Sequence, residues 1–198
     1  MAPTEGQEET GALLADIPQS ANALGSADAP VTLLYFGDLQ CPFCRDFTLE
    51  VLPSIIERRV RAEDLRIEYH ALETATREPE VFLAQQVAAL AAGKQDRAWY
   101  FVETFYREQG EEGSGYVTDR FLEGIAREVP GLNLSQWSRD RSDPQLAREI
   151  AADEQAAENA GLNGTPSFSI GRSTGARTTF ASADATSLEA AIEGLLKT

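Results

Sequence analysis

The chain has 198 residues, 42% of them hydrophobic and 25% charged, and its 32 Asp and Glu against 17 Lys and Arg give a net charge of −15. That length and apolar fraction suit one domain, or one domain with an insertion, and exclude a chain disordered throughout. The acid excess opposes binding to nucleic acid or to an anionic membrane surface, both of which need clustered cations. Two cysteines and one histidine are too few for a multi-bridge framework, or for a closed zinc site unless a carboxylate or a second chain contributes. No run reaches the roughly 18 apolar residues of a membrane span, and no basic segment followed by an apolar one opens the chain. These features fit a cytosolic protein, or a form whose targeting segment has been removed.

In chain order, residues 1–28 carry five acids and no Lys or Arg, are rich in small residues, and lack sustained apolar periodicity. They read as a flexible acidic tail or linker, with a short patch at 12–17 able to dock on the body. A membrane tether upstream of this tail is the competing reading. Val31 to Phe36 is a short apolar, β-branched and aromatic run bounded by Pro30 and Gly37, which reads as a buried strand. A helix pattern follows Cys41 directly, with Phe47, Val51, Ile55 and Val60 at near-helical spacing and Pro53 expected to kink it. Leu65 to Leu72 alternates as a second strand. From 79 to 161 every segment reads as helix, with Thr118, Ser135 and Pro144 as start signals. The aromatic stripes there, Trp99 to Tyr106 among them, could line a groove, but core packing is the stronger reading. Two short strands, 166–170 and 178–180, and a helix capped at Ser187 close the chain.

The chemistry lies in Cys41-Pro42-Phe43-Cys44, at the strand-to-helix junction. On a helix, residues i and i+3 lie about 5–6 Å apart, within the Cα separation a disulfide accepts. Cys41 would sit at the helix N-terminus, where unpaired N–H groups and the helix dipole stabilise a thiolate and lower its pKa below about 8.5. Pro42 suits the first helical position, and Cys44, one turn on, is the buried resolving thiol. Together these describe dithiol–disulfide exchange. Half a metal site, two inert thiols or an idle disulfide are the blander readings of a C-x-x-C pair, and the shortage of further ligands weakens the first.

Val31 to Phe36, Gly37-Asp38, the Cys41–Cys44 motif and, far downstream, Gly164-Thr165-Pro166-Ser167-Phe168 together resemble the DsbA-like branch of the thioredoxin superfamily. The stretch Asp96 to Phe101 is also similar to that family's helical insert, and the likeness covers about residues 24–197. It implies an α/β, thioredoxin-like fold with an inserted all-helical domain. The parts would be the 1–28 tail, a first thioredoxin part at 29–78, the insert at 79–161 and a second thioredoxin part at 162–198. It also implies Cys41 as the cysteine that exchanges with substrate and Cys44 as its resolving partner. Pro166 would be a cis-proline facing them, with Thr165 before it supporting an extended substrate chain and Pro42 and Phe43 completing the site. The alternative for Pro166 is a trans proline opening an edge strand.

Two departures bear on the chemistry. Phe43 stands where many members carry a thiolate-stabilising His, which implies a less oxidising couple. Tyr35 stands six residues before Cys41, where a buried acid is common; Asp38 could replace that acid, though a surface turn residue is the stronger reading. His70 reads as a packed strand histidine rather than a base, and Arg45 either adds positive potential near Cys41 or is simply solvated.

The expected activity is oxidation of cysteine pairs in extracytoplasmic proteins through a Cys41 mixed disulfide, without cofactor or metal. The expected partners are cysteine-containing substrates and a redox protein that recycles the pair, in a secreted or membrane-anchored enzyme of the cell envelope. The rival readings are a reductase or isomerase, and a non-catalytic, chaperone-type peptide-binding module.

Overall fold

The computed structural model describes residues 4–180 and 184–197. Its centre is β3 (Val31–Gly37), an apolar run flanked on both sides by other strands. β3 pairs in parallel with β4 (Leu65–Ala71), setting Tyr35 opposite Tyr69, and antiparallel with β5 (Ser167–Arg172), setting Tyr35 opposite Phe168. Two short strands, β1 (Gln19–Ser20) and β2 (Ala23–Leu24), extend the sheet beyond β4. The hairpin partner β6 (Arg177–Phe180) extends it beyond β5, giving the order β1-β2-β4-β3-β5-β6. A parallel pair needs a crossover, supplied here by the helical stretch after Cys41.

That stretch begins as α2 (Pro42–Asp46) and widens to a π-helix at Phe47–Val51. It tightens to α3 (Leu52–Ile55) and widens again at Ile56–Val60. Pro53, lying in the first turn of α3, has no N–H to donate and crowds the preceding carbonyls, so the backbone unwinds around it rather than stopping. The expected kink is therefore a pair of π segments. Its apolar side packs Phe47, Leu52, Ile55 and Ile56 into the core.

Between β4 and β5 run α4 (Pro79–Gly93), α5 (Ala98–Arg107), α6 (Asp119–Glu128), α7 (Leu134–Asp140) and α8 (Pro144–Asn159). Trp99, Phe101, Phe105, Tyr106 and Trp137 are buried among them in the same apolar cluster that includes the sheet residues. The aromatic stripes are thus packing. Thr118 caps α6 as its sequence suggests, accepting the Phe121 N–H. At α7 the cap is Asn133, two residues ahead of Ser135, and at α9 (Ala185–Leu196) it is Asp184, three ahead of Ser187. In both cases the side-chain oxygen that reaches the third N–H lies two or three residues ahead of the hydroxyl in the sequence signal.

Residues 4–28 depart most from expectation, for they are not a flexible tail. Glu5–Leu14 forms α1, opened by a capping box in which Thr4 and Gln7 satisfy each other's backbone N–H. Leu14 and Ile17 are buried, and Arg61 donates to the carbonyls of Ala12, Leu13 and Ala15 that end the helix. Arg107 of α5 donates to Thr10 and pairs with Glu9. The acidic segment is held by cations that lie far away in sequence. No helix among the described residues is long and apolar enough to cross a membrane.

Candidate redox-active site

The chain leaves β3 at Gly37, where the Tyr69 ring and the Tyr106 hydroxyl come so close that an added Cβ would meet them at 2.8 and 3.2 Å. Only glycine fits there. Asp38 then turns the backbone, its carbonyl accepting the Cys41 N–H at 3.0 Å, and Cys41 takes the N-cap position of α2 with Pro42 following. Cys44 is fully buried, Cys41 nearly so, and both are thiols in this structure. Phe43 between them is 70% exposed, more than any other large apolar residue among those described. Arg45 forks onto its neighbour Asp46 at 2.7 and 2.9 Å, so its charge is engaged there.

Across from the motif lies the start of β5. The Thr165–Pro166 peptide bond is cis, and the Cys41 thiol donates to the Thr165 carbonyl at 3.4 Å. Cys41, Cys44, Thr165 and Pro166 therefore meet although 124 residues separate Cys41 from Thr165. Hydrogen bonding from Cys44 lowers the pKa of Cys41 to about 6. Partial burial opposes this, and the Thr165 side chain and the N–H groups of Cys44 and Phe43 reinforce it. Cys44 moves the opposite way, raised first by burial and then by Cys41. At neutral pH the pair is one thiolate and one thiol, the split that sequential exchange needs.

Three neighbours complete the site. Tyr35, fully buried, donates to the Cys44 carbonyl at 3.2 Å and shares a 3.0 Å hydrogen bond with the Thr48 hydroxyl. Burial raises its pKa well above the ordinary tyrosine value, so it braces the helix rather than exchanging protons. Gln109, just after α5, donates to the carbonyls of Leu39 at 2.8 Å and Cys41 at 3.2 Å. Nothing in its local sequence, in a polar stretch after a helix, signals that reach.

Asp38 is the third, and it is not the surface turn residue expected. It has no exposed area. Its Oδ1 accepts from Gln40 N, Thr76 Oγ1 and Gln85 Nε2, and its Oδ2 from the successive N–H groups of Thr74, Ala75 and Thr76. Six donors let a carboxylate stay buried without a cation. His70 lies away from the cysteines, its Nδ1 2.6 Å from Asp153 and its ring stacked on Phe36. Its reading as a packed strand histidine stands.

A dithiol at the mouth of a helix, facing a cis-proline loop beside a β-α-β core, is the arrangement expected of a thiol–disulfide oxidoreductase on a thioredoxin fold. The comparisons agree. The thioredoxin family profile matches residues 19–192, and the chain belongs to that family. It is 26% identical over 176 residues to a probable disulfide bond formation protein D of Bacillus anthracis, spanning 88% of this chain and 78% of that one. The fold superposes on oxidised BdbD from Bacillus subtilis with a TM-score of 0.77 at 20% identity, covering 92% of this chain and all of that one. A thioredoxin-like oxidoreductase from Silicibacter pomeroyi gives 0.70 at 26% identity, with 95% and 98% covered.

Proposed function

We propose that this oxidoreductase works as an oxidant of protein dithiols outside the cytoplasm, through a mixed disulfide at Cys41. A substrate thiolate attacks the Cys41 sulfur of the Cys41–Cys44 disulfide. That S–S bond breaks, and Cys44 leaves and takes up a proton, as its raised pKa favours. A second substrate thiol, once deprotonated, attacks the substrate sulfur of the mixed disulfide and expels Cys41 as a thiolate. Two electrons and two protons have then left the substrate, and the enzyme pair is reduced until a redox partner takes the electrons. Thr165 offers its backbone to an extended substrate chain beside Pro166, and exposed Phe43 gives apolar contact next to the attacked sulfur.

The observation that carries this reading is the stabilised Cys41 thiolate. Whatever stabilises the reduced form makes the disulfide a better oxidant, and thiolates leave more readily as their pKa falls. An oxidising compartment is where such a pair does net work; the likeness to disulfide bond formation proteins supports the same placement. The test is the equilibrium reduction potential against glutathione. With a Cys41 pKa of about 6, the potential should fall between those of thioredoxin and DsbA, about −270 and −120 mV. A value at or below the thioredoxin end would make the protein a reductase. In the same assay Cys41→Ser should be inactive, and Cys44→Ser should accumulate mixed disulfides.

A further inference from the structure

The loop after β4 reaches Thr165 through a pair of hydroxyls. Thr74, exposed on that loop, places its hydroxyl 2.5 Å from the hydroxyl of Thr165. The loop is held by its own backbone, since the N–H groups of Thr74, Ala75 and Thr76 all converge on buried Asp38, as does the Thr76 side chain. Asp38 in turn lies three residues before Cys41 and ties its own carbonyl to the Cys41 N–H. One carboxylate therefore fixes both Thr74 and the cysteine turn.

A hydroxyl has a single proton to donate. Thr165 lies against the Cys41 sulfur, which meets its carbonyl at 3.4 Å, and its side chain acts to lower the pKa of both cysteines; its hydroxyl can serve a sulfur only if its proton is not spent on Thr74. While Cys41 is a thiol it donates to the Thr165 carbonyl. Once ionised it needs a donor on that side, and the carbonyl cannot be one.

We propose that Thr74 is a positioning residue for thiol exchange: its hydroxyl donates to Thr165 Oγ1, which leaves the Thr165 proton free for the Cys41 sulfur, with the Asp38 clasp holding Thr74 in place. The inference rests on the oxidoreductase reading above and deepens it. The chain Thr74 O–H to Thr165 O–H to sulfur polarises in one direction, so each bond strengthens the next. It acts on the thiolate and has no counterpart in the disulfide, which raises the oxidising power of the pair. In a motif where Phe43 has no side-chain proton to give, this relay supplies a donor from outside the motif. The charged groups around it are Arg45, engaged with Asp46, the fully hydrogen-bonded Asp38, and Glu73 beside Thr74.

The test uses Thr74→Val, which keeps the shape of an exposed residue and removes only its hydroxyl, and Thr74→Ser, which restores the hydroxyl. The Cys41 pKa is read from the pH dependence of its alkylation rate, without any substrate, and the potential from equilibration with glutathione. Loss of one hydrogen bond should move the Thr74→Val pKa upward by about half a unit. The oxidising equilibrium constant should fall about threefold, equivalent to about 14 mV for a two-electron couple. Thr74→Ser should match the parent in both. An unmoved pKa in Thr74→Val would overturn the relay, as would an equal shift in Thr74→Ser. Since the alkylation profile needs no oxidoreductase turnover, the relay can fail while the enzyme reading stands, and the reverse.

Discussion

Tyr35 braces Cys44 by its hydroxyl, which ties the Cys44 carbonyl to Thr48, and by its ring, which meets Phe47, Tyr69 and Phe168. Tyr35→Phe keeps the ring contacts and leaves the Cys44 carbonyl without that donor. It should cost about 1 kcal/mol of stability while leaving the pH profile of Cys41 alkylation in place, because a phenol ionising well above its usual range is no base at neutral pH. A shifted profile at unchanged stability would assign Tyr35 to proton transfer instead. The cysteine pair itself was legible in the sequence, because the strand, the motif and the helix start are all local signals. Asp38 was not. An acid in a Gly-Asp turn looks like a solvated turn residue, and five of its six donors sit 36 to 47 residues downstream. Thr74 and Gln109 escaped notice for the same reason, since each matters through a contact rather than through its own neighbourhood.

Among the elements, α1 and α5 form a pair whose energetics are unusual. Glu103 of α5 is completely buried with neither carboxylate oxygen hydrogen-bonded; burial raises its pKa to about 8, with Arg107 at 3.8 Å pulling the other way. An acid whose folded pKa lies above its unfolded value of 4.5 binds a proton more tightly when folded. It therefore makes stability fall as pH rises through the window from 4.5 to 8. Glu103→Gln, which carries no charge to bury, should stabilise the protein by on the order of 4 kcal/mol at pH 7.5 and by little at pH 4. Urea midpoints at the two pH values check this, and equal shifts at both would show that packing, not ionisation, is at issue. The same pair marks the limit of sequence reading for elements. The long helices 79–159 are visible from periodicity and caps, whereas α1 has few apolar residues and owes its place to Arg61 and Arg107. Its one local clue was the Thr4-x-x-Gln7 capping box.

On the scale of the whole molecule, the sheet and the helical layer are joined by an ionic clasp at His70. Its ring meets Asp153 of α8 at 2.6 Å and Glu68 of its own strand at 3.6 Å, and Asp153 also accepts the Ala71 N–H. Burial of the ring works to lower its pKa, but the hydrogen bond to Asp153 and then the nearby Glu68 carboxylate outweigh that and raise it to about 9. A histidine raised above its unfolded value of 6.5 contributes stability that is complete below that pH and is lost as pH climbs through 9. The loss should be on the order of 3 kcal/mol, and His70→Asn should remove it; a parent stability flat between pH 6.5 and 9 would sink the clasp. Glu103 and His70 thus push the same way, so maximum stability should lie in mildly acidic solution. The architecture also bears on how the enzyme comes into being. During synthesis Cys41 emerges long before Thr165, with the whole helical layer between. Until β5 docks beside β3, the nascent chain carries a dithiol without the Thr165 contacts that help hold its thiolate. Catalytic competence is therefore among the last properties the growing polypeptide acquires, and a chain stopped short of β5 would lack the full tuning of its thiolate.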